Sequence, residues 1–330
     1  MTMERFAVLL LNMGGPDSLD AVEPFLFNLF SDHDIIEIPR PIQKPIAFFI
    51  SKFRAKKTRH YYELMGGKSP QREQTEIQAK ALQKLLPENF TVKVAMRYWK
   101  PFIEEAVKEA LQEGAKGFIL LPMYPQYSKT TTGSSFNEFD RVYKRLGLNL
   151  PVVKIKSYHN HPLYIKAMVE NILSSVKRPE EYFFLFTAHS LPVKVIERGD
   201  PYKDQTEETV RLIMEHFPKV EYALGYQSKV GPTKWLKPET EELLKELINS
   251  GRKRIVLIPV SFTCEHSETL YELDHLYHNM ARELGVEEFI RVPTLKDHPT
   301  YIELLKELTL SAFQELERQL SDLAYTQSKS

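Results

Sequence analysis

One cysteine, Cys264, is all the thiol the chain has. An intramolecular disulfide is therefore excluded, as is any zinc or iron–sulfur site built on several thiolates. Excess charge of either sign is missing too: 44 Lys and Arg balance 44 Asp and Glu. An electrostatic nucleic-acid binder needs a basic surplus, so no nucleic-acid partner is expected. Apolar runs are short. The six-residue run in MTMERFAVLLLNMGG is too brief for a signal peptide or a membrane span and reads as a buried first strand. No G-x-G-x-x-G supports a dinucleotide site, and no H-E-x-x-H supports a zinc protease. The segment MGGKSP at 65–70 suggests a phosphate loop, but the first glycine of that motif would fall on Tyr62 and no strand leads into it.

What is present is globular: 42% hydrophobic and 27% charged over 330 residues, enough for two domains with separate cores. Apolar runs at 6–11, 92–96, 118–121, 152–155, 182–186, 220–224, 255–260 and 289–292 do not alternate with polar residues. Strands buried on both faces of a parallel sheet have that pattern. Between them, 101–113 and 238–249 carry helical periodicity, with proline at the start and Gly114 or Gly251 as the stop. Strands alternating with helices give an α/β fold of doubly wound parallel sheets.

The two halves also resemble each other. Pro101 and Pro238, Glu104 and Glu241, Gly114 and Gly251, and Pro122 and Pro259 all lie 137 positions apart. The first strands match more loosely, FAVLLLNMGGP against YFFLFTAHSLP, and Met13 then falls where His189 falls. We read a duplicated unit joined near 150–165. The first lobe is 1–155, including an apolar lip at 38–54. The second is 156–330, with its last helix free to pack back on the first lobe. Ligands of open α/β sheets bind beyond the carboxyl ends of the strands. Two such lobes would face each other across a cleft lined by 12–17, 124–135, 188–192 and 261–268.

Those loops hold the chemically unusual residues. His189 lies just past the fifth strand; it is either a core histidine bonded to backbone or a proton-transfer group suited to neutral pH. In SFTCEHSETLYELDH, His266 and Glu268 open a helix, with Glu272 and then His275 along one face. The acidic turn either complements the helix dipole or forms a pocket carboxylate with a wet acidic track behind it. Nitrogen plus carboxylate oxygen suits a borderline ion such as Fe(II). YPQYSKTTTGSS offers hydroxyls for an anion or for a helix cap. Around Pro41 to Phe53, apolar Ile46, Phe48, Phe49, Ile50 and Phe53 stand among basic Lys44, Lys52, Arg54, Lys56 and Lys57, either as a core-packed amphipathic helix or as a lip touching anionic lipid.

Taken in order, LLNMGGPDSL, MGGKSP, MRYW, YPQYSKTTTGSS, FTAHSLP, RGDPY, YQSKVGPTKWL and HSETLYELD resemble ferrochelatases, which insert ferrous iron into a porphyrin. The resemblance runs from about residue 6 to about 310 and implies two Rossmann-like, chelatase-type lobes around a porphyrin cleft. It implies that His189, Glu268 and His266 are catalytic, with His189 and Glu268 also meeting the metal and standing opposite one another. Met13, Arg97 and Tyr98 would form the other wall. Arg54, Tyr62 and Ser69 would hold propionates, and Tyr124, Thr130 and Phe262 would line the pocket. Iron is then a substrate rather than a cofactor. Some relatives hold an iron–sulfur cluster on four cysteines, one of them where this chain has Lys129, so no cluster is expected here. The outermost carboxylate of the acidic track is replaced by Leu276, with Asp274 or His275 as stand-ins. The implied reaction is conversion of protoporphyrin IX to protohaem with loss of two protons. It would take place in the cytoplasm, with peripheral contact to the inner membrane. Alternatives are a coproporphyrin III or other tetrapyrrole chelatase, and a non-catalytic porphyrin or haem carrier.

Overall fold

The computed structural model describes residues 4–328. The first half runs β1 (Arg5–Asn12), α1 (Val22–Phe30), α2 (Arg40–Leu64), α3 (Gln71–Leu85), β2 (Phe90–Met96), α4 (Ile103–Gln112), β3 (Ala115–Pro122), α5 (Ser134–Arg145) and β4 (Val152–Lys154). The second runs α6 (Pro162–Ser175), β5 (Phe183–His189), α7 (Val193–Glu197), α8 (Tyr202–Met214), β6 (Tyr222–Gln227), α9 (Thr240–Asn249), β7 (Arg254–Pro259), α10 (His278–Glu283), β8 (Glu288–Arg291) and α11 (Pro299–Ser328). All strands pair in parallel, in two four-stranded sheets ordered β2-β1-β3-β4 and β6-β5-β7-β8. This is an α/β fold of two parallel sheets, and every strand expected from the apolar runs is present.

Successive residues of β1 face opposite ways, and both directions are buried. Ala7, Leu9 and Leu11 pack on the α4 and α5 side. Val8 and Leu10 join a larger core that also takes in Phe184 and Phe186 of β5, Tyr164 of α6 and Tyr301 of α11. One apolar core thus serves the inner faces of both sheets, and α11 packs on α6, α3, β3 and β4. Pro101 and Pro238 stand just before their helices rather than inside them, each lending its carbonyl to the end of a neighbouring strand, at Met96 and Tyr226.

The repeat holds in register. Leu11 lies beside Pro122 and Thr187 beside Pro259. Two residues further on, Met13 and His189 therefore leave equivalent strand ends and enter the same space.

Candidate active site

One cavity of about 680 Å³ opens between the two sets of strand ends. Its wall includes all twelve residues singled out above: Met13, Arg54, Tyr62, Ser69, Arg97, Tyr98, Tyr124, Thr130, His189, Phe262, His266 and Glu268.

The second lobe supplies the ionisable centre. His189 is the last residue of β5, and its carbonyl is pinned by the Tyr202 hydroxyl at 2.8 Å. Its Nδ1 lies against the Ser190 carbonyl, which only accepts, so Nδ1 carries a proton and Nε2 points away. Nε2 meets Glu268 Oε1 at 3.1 Å. The two do not stand on opposite walls; they form an ion pair on one wall, because β5 and β7 are neighbours and their loops leave side by side. Burial works against the imidazolium, but the Glu268 carboxylate and the Ser190 carbonyl outweigh it and raise His189 to about 9. Burial likewise opposes ionisation of Glu268, yet the charge on His189 holds it down at about 2.

His266 is different. Its Nδ1 accepts the Glu268 backbone N–H at 3.1 Å, so that nitrogen carries no proton. Burial, only partly offset by Glu268 and Glu265, keeps its pKa below the ordinary imidazole value. The 3.4 Å approach of Nδ1 to Glu268 Oε2 is therefore a contact with a neutral ring, not a second ion pair. Phe262 meets the same ring edge-on at 4.4 Å.

Glu268 opens a π-helix, Glu268–Tyr277, whose wide turns are closed by i→i+5 bonds and which continues into α10. The wider turn changes which residues share a face. Glu268, Glu272, Leu276 and Tyr277 line the cavity, while His275 does not. It is exposed and stacks on Tyr271. Asp274 lies outside, ion-paired to Arg291. Neither stands in for the missing outer carboxylate. Glu272 itself accepts from Ser228 Oγ at 2.8 and 2.9 Å and from Gln227 Nε2 at 3.1 Å. Ser228 adopts φ +67° to do so, a conformation costing a non-glycine residue roughly 1–2 kcal/mol. Burial and the neighbouring Glu268 charge, softened by those hydrogen bonds, push Glu272 up to about 7.

The first lobe supplies the other wall. Arg97 and Tyr98 are held by Asp32, a buried acid that the sequence reading missed. Arg97 reaches it at 3.3 Å, the Tyr98 hydroxyl donates to it at 2.5 Å, and Ser134 donates to the same oxygen. The NMGGP and MGGKSP loops pack together: Ser69 N–H donates to the Pro16 carbonyl at 2.8 Å, and a Cβ on Gly15 would come within 2.5 Å of Ser69 Oγ. Only glycine fits there. The former phosphate-loop lookalike thus serves to seat Ser69, with Tyr62 close by. Arg54 lies over the Phe30 ring at 5.4 Å and has no carboxylate partner among the described residues. Thr130 and Ser128 hydroxyls are 2.9 Å apart at the start of the π-turn Lys129–Gly133. Asp200 of RGDPY fastens that turn through Ser128 Oγ and Lys129 N–H. The wall also carries Tyr124, whose phenol burial pushes far above its usual range.

Among the described residues no group of three or more His, Cys, Asp and Glu is placed to hold an ion. The arrangement offers one nitrogen and one carboxylate at a cavity wall, with a second carboxylate behind them.

The ferrochelatase family profile matches residues 5–312. A ferrochelatase of Sulfurihydrogenibium sp. (strain YO3AOP1) is 61% identical over 332 residues, covering 94% of this chain and 99% of the relative. One of Aquifex aeolicus (strain VF5) is 62% identical over 302 residues, covering 91% and 97%. In shape, the chain is similar to SirB from Bacillus subtilis with Fe3+, with a TM-score of 0.58, 13% identity and coverage of 94% and 95%. At that identity the likeness shows the fold alone.

Proposed function

Because the chain belongs to the ferrochelatase family, and is thus a lyase-class enzyme that places iron in a porphyrin, we propose protoporphyrin IX as its substrate and His189 with Glu268 as the acceptors of the two displaced protons. One observation carries the choice of porphyrin. The cavity-lining cations without a carboxylate partner among the described residues are Arg54 and Lys57, both on α2. Arg97 is taken by Asp32 and Lys229 by Glu239. Two free cations on one helix, beside Tyr62 and Ser69, match two propionates on adjacent edges of the macrocycle. Much of the adjoining wall is apolar, with Phe25, Leu26, Leu29 and Ile35. Coproporphyrin III would bring four carboxylates, two of them to edges with no cation to meet them.

Iron insertion breaks two pyrrole N–H bonds, and each proton needs a base. With Nδ1–H fixed on Ser190, His189 exchanges protons at Nε2. In the resting ion pair that proton is shared with Glu268. A dication entering the cavity disfavours the imidazolium, whose Nε2 proton passes to cavity water; the neutral imidazole and the Glu268 carboxylate left behind are two acceptors for the two pyrrole protons. His266 holds the first turn of the π-helix, and with it Glu268, in place. Retention of this pair argues against a carrier without chemistry. The two lobes, divided at 155/156, supply one wall each. We take the enzyme to work without an iron–sulfur cluster, since its sequence holds a single cysteine, Cys264, itself buried.

Anaerobic metallation with ferrous iron tests the substrate. We expect kcat/KM for protoporphyrin IX to exceed that for coproporphyrin III by about tenfold or more. Equal or reversed values would overturn the assignment.

We also propose peripheral membrane contact for a cytoplasmic enzyme. On α2, Phe49 is 71% and Phe53 89% exposed, beside exposed Lys44, Lys52 and Lys56. Among the described residues no helix is long and apolar enough to cross a membrane. Two bare rings flanked by lysines suit the surface of anionic lipid. The double substitution Phe49→Ser, Phe53→Ser should lower sedimentation with anionic vesicles by at least roughly tenfold while leaving metallation of detergent-dispersed porphyrin intact. If the unaltered chain ignores such vesicles, the contact does not exist.

A further inference from the structure

The carboxylate line along the π-helix stops short of solvent. Glu268 and Glu272 face the cavity, but the next position on that face is Leu276, which is 41% exposed. The cavity nevertheless continues past Leu276. Its wall there comes from a different helix: Glu239, the residue preceding α9, and Glu241 in its first turn. Both are ion-paired at the surface, Glu239 with Lys229 at 2.8 Å and Glu241 with Lys245 at 2.7 Å.

Tyr277 links the inner and outer groups. It is only 4% exposed and lines the cavity, yet its hydroxyl makes no hydrogen bond to any described residue. That hydroxyl is not among the fully buried, unpartnered polar atoms, so it opens onto the cavity, where water can reach it. Its surroundings are informative. Burial first, and then the charges of Glu272, Glu241 and Glu239, push its pKa far above the usual range. The same hydroxyl therefore lies in the field of the inner carboxylate and of both outer ones, and it stays protonated as a neutral donor and acceptor.

We propose that Tyr277, Glu239 and Glu241 form the outer leg of the proton exit, completing on α9 the line that Leu276 interrupts on the π-helix. The inference rests on the proton-accepting role given above to His189 and Glu268. For each iron inserted, two N–H bonds break and two protons leave; no electron moves and the iron stays ferrous. A proton arriving from Glu272 through cavity water binds the Tyr277 oxygen as that hydroxyl releases its own towards Glu239 or Glu241. The phenol is regenerated, and the carboxylate passes the proton to bulk water.

The test uses the whole enzyme with ferrous iron and protoporphyrin IX, comparing Tyr277→Phe and the double variant Glu239→Gln, Glu241→Gln. Both should lower kcat by on the order of tenfold, less than loss of a direct acid–base group. The KM for porphyrin should hold, and the solvent deuterium isotope effect on kcat should rise. Adding Leu276→Glu to the double variant should restore turnover, which a merely structural defect would not allow. Unchanged kcat and isotope effect would overturn the proposal, as would a rise in the KM for iron with no isotope effect, which would mark a metal-collecting patch. Failure of the unaltered enzyme to metallate porphyrin would instead sink the underlying reading.

Discussion

Substituting alanine for His189 should cut metallation of protoporphyrin by about a thousandfold while porphyrin binding stays within a few-fold of normal. The size follows from what is lost. A positioned acid–base group contributes roughly 100- to 10,000-fold, and here it is also the partner that keeps Glu268 ionised, 3.1 Å away. Alanine leaves Glu268 buried beside Glu272 without a cation, so its pKa climbs and the second acceptor weakens with the first. Binding is spared because the residues proposed to hold the propionates sit on α2 and the Ser69 loop, in the other lobe. Anaerobic absorbance assays and fluorescence quenching of bound porphyrin measure the two effects separately. A loss of binding equal to the loss of rate would make His189 a structural residue.

Replacing Glu272 by glutamine should raise stability at alkaline pH by up to about 3 kcal/mol and do little near pH 4. The folded protein holds this carboxyl at about 7 against an ordinary value of 4.5. Between those values the folded state binds a proton that the unfolded chain has released, so stability falls as pH rises through that window. An upward displacement of that size corresponds to roughly 3 kcal/mol. Glutamine carries no such cost and can still accept from Ser228. His189, raised to about 9, acts over a higher range: its contribution is full below about 6.5 and disappears as pH rises through 9. Glu268, held at about 2, contributes above its ordinary value and loses that only in strong acid. The difference between wild type and Glu272→Gln, followed by urea unfolding at pH 4.5 and pH 8, therefore isolates Glu272. A difference that does not change with pH would show that the carboxyl is not raised.

Much of this was legible in the sequence for simple physical reasons. Strands covered on both faces need unbroken apolar runs, so all eight were visible. Ligand sites of such sheets gather at strand ends, so the loops carrying Met13, Tyr124, His189 and Phe262 could be named before their geometry was known. Less legible was anything that depends on a turn width or a long-range partner. Spacing of four suggested that Glu272 and then His275 share a face with Glu268. The π-helix keeps Glu272 there but swings His275 outward, and nothing local in ETLYELDHLY announces the wider turn. Asp32, in an unremarkable SDHD segment, becomes the anchor of Arg97 and Tyr98 only through contacts 65 and 66 positions away. Ser228 was quoted within YQSKVGP, but its positive φ and its grip on Glu272 belong to the folded chain. The apparent opposition of His189 and Glu268 likewise became an ion pair once β5 and β7 proved to be neighbours.

The most direct test is a single turnover in weak buffer without oxygen. Enzyme carrying bound protoporphyrin is mixed with ferrous iron, and absorbance reports haem formation while a pH indicator counts protons. Haem formation should be accompanied by release of two protons per iron, with both signals abolished together in His189→Ala. Bound porphyrin that gains no iron, or metallation of undiminished speed in His189→Ala, would contradict that expectation.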